Sequence, residues 1–325
     1  HYADDWVGSN EALAQAEIVA DDLYNKSLAE GALSLITSDE SISYRARPFE
    51  MAMVPYYRAM NYVYLGQRES ALVEARKSSL LMSKYVDATL QGMDDETDTA
   101  DFESTKNDAF LLYFSGLLYD WDGEINDAFI AYRNSALAYQ ANHRLLDLEI
   151  PPTLGRDLVR TTRRLGFGDE LTQLTKIAPA VFAAADLDSA ELAGGVGWPP
   201  GHGAVVLLLE KDYVPQKDQV RLDIPIFEGG TYNDLDYRAW QIAAGMGNMQ
   251  AFVSGRKVAD WLTIALPVME PLPPVVQGAR VSVGGAGAHE RAYRAHNVAT
   301  VAKVTFDAEY GSILFKTILR GLTKY

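Results

Sequence analysis

Through the first 190 positions apolar residues recur at three- and four-residue spacing, which predicts amphipathic helices. After that the pattern changes to short β-branched runs between glycine and proline turns, which predicts strands. The first helix is read over 10–35, with Ser9 or Asn10 as its N-cap. A polar loop at 37–48 separates it from helices at 49–65 and 70–85, which turn at Gly66. A second pair, 108–122 and 126–139, turns at Gly123. A third, at 154–165 and 169–177, follows Pro151 and Pro152 and reads as a divergent cap on the array. Strands are expected at 204–210, 219–226, 261–268 and 280–283, the first of them buried. Pro225 and Pro267 hold their strand ends to edges or termini. Residues 236–247 read as a short helix or an irregular segment. Residues 296–322 read as a long amphipathic helix that packs on the sheet rather than entering a membrane. Glycine marks the division, with 9 of 25 before residue 191 and 16 after it. The expected fold class is α+β. A helical repeat domain spans 1–193, and a smaller, mostly antiparallel α+β domain with a long C-terminal helix spans 194–325.

The two central hairpins align with each other. With Gly66 set over Gly123, Ala59 lies over Gly116, Tyr62 over Tyr119, Ala71 over Ala128 and Ser78 over Ser135. Small residues at positions 8, 20 and 27 of a 34-residue unit, tyrosine at 11 and glycine at 15 form the tetratricopeptide pattern. Small residues let paired helices approach closely, and the glycine makes the turn. In that register the inner face takes Met53, Tyr56, Met60, Val63 and Tyr64 from the first unit. The second unit supplies Phe110, Tyr113, Leu117, Asp120 and Trp121. Nine of these ten are apolar or aromatic, the chemistry of an interface core. The expected protein-binding groove is therefore Met53, Tyr56, Met60, Tyr64, Phe110, Tyr113, Leu117 and Trp121. The competing expectation is that the N-terminal helix or the second domain already fills it.

Composition narrows the function classes. With 29 basic and 44 acidic residues the net charge is −15, against the basic face that nucleic acid or anionic lipid requires. No cysteine is present, so disulfides, thiolate nucleophiles and cysteine-held metals are excluded. No run of about 18 apolar residues could span a membrane. The chain opens at His1 without a signal segment, which predicts a processed product whose signal or lipid anchor lies upstream.

Candidate chemistry is sparse. The turn glycines are 57 residues apart rather than 34, so about 23 residues are inserted, with 87–104 as the acidic stretch between the repeats. That insert holds seven acids and no lysine or arginine. Its spacing is not that of a calcium loop, and a solvated acidic loop is expected. His289 and His296 lie seven apart, too far along a helix to share a metal as a zincin pair does. The glycines at 284–287 lack the third small residue of a dinucleotide loop, and those at 194–203 lack the phosphate-binding lysine. No nucleophile elbow occurs, and no carboxylate pair stands out as a glycosidase site. No catalytic residue, metal or cofactor is expected.

Several stretches carry a resemblance. Arg45-Ala-Arg-Pro-Phe-Glu50 runs into Pro55-Tyr-Tyr-Arg-Ala-Met-Asn-Tyr62, followed by Leu65-Gly66 and Ser70-Ala-Leu-Val-Glu-Ala-Arg76. Later come Asp108-Ala-Phe110, Ser115-Gly-Leu-Leu-Tyr119, Asn126-Asp-Ala-Phe129, Val206-Leu-Leu-Leu-Glu210, Val214-Pro-Gln-Lys217 and Ile264-Ala-Leu-Pro267. From about Leu23 to Tyr325 the chain resembles a family of bacterial tetratricopeptide-repeat envelope lipoproteins. The resemblance implies a secretory signal, a lipidated cysteine and outer-membrane attachment, on the periplasmic or surface side. It also implies partners among envelope lipoproteins of the curli-export and penicillin-binding-protein-activator kinds. The lipid-bearing cysteine is absent here, and the acidic insert is longer than usual. The family brings no catalytic residues. Three functions follow as expectations, in falling order: a non-enzymatic scaffold or adaptor, a structural subunit of a surface or extracellular assembly capable of self-association, and a glycan-processing enzyme.

Overall fold

The computed structural model describes residues 1–30, 46–91, 93, 99–194, 203–227, 258–269, 278–282 and 289–322. Ten helices precede the first strand among them. They are α1 (Trp6–Glu30), α2 (Pro48–Tyr64), α3 (Arg68–Leu90), α4 (Ala100–Ser104), α5 (Ala109–Asp122), α6 (Ile125–Asn142), α7 (Pro152–Leu165), α8 (Gly168–Ile177), α9 (Pro179–Ala185) and α10 (Ser189–Gly194). Strands β1 (Lys217–Phe227), β2 (Val258–Met269), β3 (Arg280–Ser282) and β4 (His289–Arg291) and helix α11 (Val298–Leu322) follow. The chain is mostly helical with small antiparallel sheets, an α+β protein in coarse terms.

Three hairpins share one turn geometry. Gly66, Gly123 and Gly166 have φ of 71°, 88° and 76°, the left-handed region open to glycine at no steric cost. In each, the next residue's N–H reaches back over the turn: Gln67 to Tyr62 O, Glu124 to Tyr119 O and Phe167 to Thr162 O, at 2.8–2.9 Å. That contact caps carbonyls the helix end would otherwise leave bare. The first two hairpins repeat more than the turn. Ser78 Oγ donates to Ala52 O at 2.9 Å, and Ser135 Oγ donates to Ala109 O at 2.7 Å. Both partners advance by the same 57 residues as the glycines, so each serine joins the second helix of a hairpin to the start of its first. Ala59, Ala71 and Ala128 are fully buried where the helices meet. Gly116 is required by its neighbour, because a Cβ there would lie 2.4 Å from Tyr132 Cδ1. The matching pair in the first hairpin is Ala59 and Ala75, so a small pair is replaced by a glycine and a tyrosine.

Stacking runs on from hairpin to hairpin: α3 packs against α5, α6 against α7, and α9 closes on α7 and α6. Ser115 Oγ donates to Ala75 O at 3.0 Å across the first junction. The core is aromatic, with Tyr56, Tyr85, Tyr132, Tyr139 and Phe102 almost wholly buried.

Several expectations shift. Helix α1 starts at Trp6, not Asn10, because Asp5 Oδ1 accepts from Gly8 N at 2.9 Å and caps it. Ser9 and Asn10 instead turn inward to Asn61. Part of the acidic insert is built into the array. α3 continues through Asp87 to Leu90, α4 follows, and Phe102 is buried to 1% exposure. Lys106, just beyond the insert, pairs with Asp87 at 2.7 Å and Glu103 at 2.9 Å. Helices α9 and α10 had no counterpart in the sequence reading. Residues 31–45, the predicted 236–247 segment and the glycine clusters at 195–202 and 284–287 lie outside the described residues.

By contacts, the chain divides into His1–Pro215 with Pro271–Glu309, and Gln216–Glu270 with Tyr310–Tyr325. The first unit holds the helical array, the short β3–β4 ribbon and the first half of α11, with Val301, Ala302 and Phe306 buried. Glu309 on α11 pairs with Arg47 before α2. The second unit holds β1 and β2, antiparallel from Lys217 opposite Met269 to Ile226 opposite Asp260. That register sets Val220 opposite Leu266, Leu222 opposite Ile264 and Ile224 opposite Leu262. Among the described residues no helix is long and apolar enough to cross a membrane.

The expected buried strand at 204–210 is not paired among the described residues. Its backbone is extended, but Val205 is 95% exposed. An apolar run becomes a buried strand only when neighbours supply both ladder edges.

Candidate functional site

The eight residues expected to line one groove fall into three environments. Tyr56, Phe110 and Tyr113 are buried, and Met53, Met60 and Leu117 are partly buried. Tyr64 and Trp121 are exposed, at 54% and 42%. The inner face of α2 and α5 is therefore largely covered, and its open part is the edge at the hairpin turns.

What covers it comes from three places. At the first hairpin, Tyr56 rests on Phe114 with centroids 4.9 Å apart, and the Glu210 carboxylate lies close to its phenol. Tyr2 OH donates to Glu210, at 2.7 Å, and lies 3.2 Å from Tyr57 OH. Burial first, then the Glu210 carboxylate, push the Tyr56 phenol far above its ordinary range. At the second hairpin, the His296 ring stacks on Phe110 at 5.2 Å and 17°. Its Nε2 donates to Asp108 Oδ2 at 2.8 Å, while Asp108 Oδ1 caps α5 by accepting from Leu111 N at 2.9 Å. Tyr139 OH donates to Ala295 O at 2.7 Å, and Glu149 binds Arg291 and the Arg294 backbone. His289 sits on β4 and His296 before α11, so no single helix carries both.

The third cover is a polar cluster that the sequence reading missed. Tyr113 OH donates to Asp157 Oδ2 at 3.0 Å and lies 2.7 Å from Thr153 Oγ1. Arg160 grips Asp120 through both terminal nitrogens and reaches Asp157 at 3.0 Å. Tyr132 OH donates to Asp120 Oδ2 at 3.0 Å. Burial raises the Asp157 carboxyl, with Arg160 opposing it, and burial also raises the Tyr113 and Tyr132 phenols. Chemically this is a closed network of held protons that fastens α5 and α6 to α7. One signal existed: Asp120 was the single charge among ten inner-face positions. A charge on an apolar face calls for a buried partner.

The exposed edge is small and aromatic. Trp6 stacks on Tyr64, centroids 5.1 Å apart and planes 14° apart. The His1 ring lies 5.9 Å from Tyr64 and 5.4 Å from Tyr57. The Arg68 guanidinium covers Trp121 at 4.5 Å. Rigid aromatic rings beside an arginine are the side chains that most often carry binding energy at interfaces. Among the described residues no group of three or more His, Asp or Glu could hold a metal ion.

No protein-family model, curated protein or solved structure matches the chain.

Proposed function

We propose that this chain is a non-enzymatic scaffold or adaptor of the bacterial cell envelope, built on a tetratricopeptide-like helical array. One observation supports this most directly. Two hairpins repeat the same turn and the same buried serine contact at a constant 57-residue offset. Arrays of this kind use their surfaces to hold other proteins. Partners would be other envelope proteins, including lipoproteins of the curli-export or penicillin-binding-protein-activator kinds, at the outer membrane. That localisation rests on the sequence resemblance and on the cysteine-free, acidic composition.

Of the eight residues first assigned to the groove, Tyr64 and Trp121 present the open contact edge. The test is capture of partners from the native membrane by purified protein. Tyr64→Ala with Trp121→Ala should reduce capture at least about tenfold, the loss of two aromatic anchors, with the helical spectrum unchanged. Undiminished capture would remove this edge from the assignment. A second reading, a structural subunit of a surface assembly, is favoured by the exposed apolar run at 204–209.

A further inference from the structure

We infer that two copies of this chain associate through residues 204–209, paired as antiparallel strands. The run is Ala-Val-Val-Leu-Leu-Leu in extended conformation. Among the described residues no backbone hydrogen bond reaches it. Val205 is 95% exposed, and Val206, Leu207 and Leu209 are 53%, 58% and 45% exposed. Alternate residues of a strand point to opposite faces, so this run offers apolar side chains on both. A sequence of that kind belongs in the middle of a sheet.

The run is held ready rather than left loose. At its C-terminal end Glu210 is bonded by Tyr2, and Pro215 is buried. A segment fixed at its base loses less conformational freedom on docking.

Charge and register favour a second copy as the occupant. Each chain carries −15, so copies repel except where a contact is uncharged, and 204–209 has no charged residue. A two-fold antiparallel ladder must pass through a residue paired with itself, here Val206 or Leu207. About Leu207, Val205 faces Leu209 and Ala204 faces Glu210. About Val206, Val205 faces Leu207 and Ala204 faces Leu208. Neither register sets like charges opposite each other. In both registers the exposed side chains of Val205, Val206, Leu207 and Leu209 fall within the paired span.

Light-scattering mass of the full chain tests this, whatever Tyr64 and Trp121 bind. Wild type should show twice 35.8 kDa at micromolar concentration. Added salt should raise the dimer fraction, because it screens the mutual repulsion. Val206→Lys with Leu207→Lys should give the single-chain mass and an unchanged circular dichroism spectrum. The chain lacks cysteine, so one introduced thiol is unique. Self-paired Cα atoms lie about 4.5–5.5 Å apart, within disulfide reach. Either Val206→Cys or Leu207→Cys should therefore cross-link on oxidation, and Val205→Cys should not. A wild-type mass of one chain, a lysine variant that stays dimeric, or no cross-link at both 206 and 207 would each overturn the inference.

Discussion

At the scale of single residues, the fit between hairpins depends on a few atoms. Gly116 is the tightest case, since a methyl group there would meet the Tyr132 ring. Gly116→Ala should cost about 1–3 kcal/mol despite alanine's better helix propensity. A lower urea midpoint is the readout, and a stabilised variant would show that the ring moves aside freely. Arg160 carries a heavier role. Its side chain and that of Asp157 are only 10% and 11% exposed. Arg160→Met should therefore cost about 3–5 kcal/mol at neutral pH, because it leaves a buried carboxylate without its partner. The sign with pH follows from Asp157. Its folded pKa is raised, so ionising it costs stability as pH rises above the ordinary carboxyl range. Losing Arg160 enlarges that cost, so the defect should deepen as pH rises through that range. Adding Asp157→Asn should restore part of the midpoint.

Among the elements, α1 is attached differently from the rest. Beside the Trp6–Tyr64 stack, it is joined to the first hairpin by several polar contacts. Asn61, fully buried, donates to Ser9 Oγ and Asn10 Oδ1 at 2.9 Å and lies 2.7 Å from His1 Nδ1. Glu17 bridges Arg58 and Lys77, and Asp21 is bonded by Lys84 and Tyr85. Helices α5 and α6 instead share buried aromatic and alanine contacts. Local opening follows the amount of apolar burial. Amide exchange should therefore be faster in α1 than in α5 and α6. Asn61→Ala should speed α1 exchange further and leave α5 and α6 unchanged. Uniform acceleration in all three would show that α1 opens only with the whole unit.

For the first unit as a whole, segments far apart in the sequence are joined. His296 and Asp108 are 188 residues apart. Burial alone would raise the Asp108 carboxyl, but His296 and the N–H groups of Leu111 and Phe110 outweigh it, so its pKa is lowered. A carboxyl depressed in the folded state stabilises above its unfolded pKa, and the contribution disappears as pH falls through the folded value. Asp108→Asn should lower stability by about 1–3 kcal/mol at neutral pH. It should also flatten the acid limb of the stability curve below about pH 4. An acid limb as steep as that of wild type would show that another carboxylate controls it.

The hairpins were legible in the chain because their causes are local. A glycine that adopts positive φ, a three-to-four spacing and a small residue at a close approach act over a few positions. The repeated offset followed from the same marks. The candidate groove was legible only as a set of faces. Which of them stay open depends on chain far away in sequence: Glu210 over Tyr56, His296 over Phe110, Arg160 under Asp120. Helical periodicity carries no record of those partners. The opening observation, a period that changes from helical to strand-like, determined the coarse α+β class. Only the tertiary structure decided that the most strand-like run, 204–209, finds no partner among the described residues, because pairing belongs to two strands and a sequence specifies one of them.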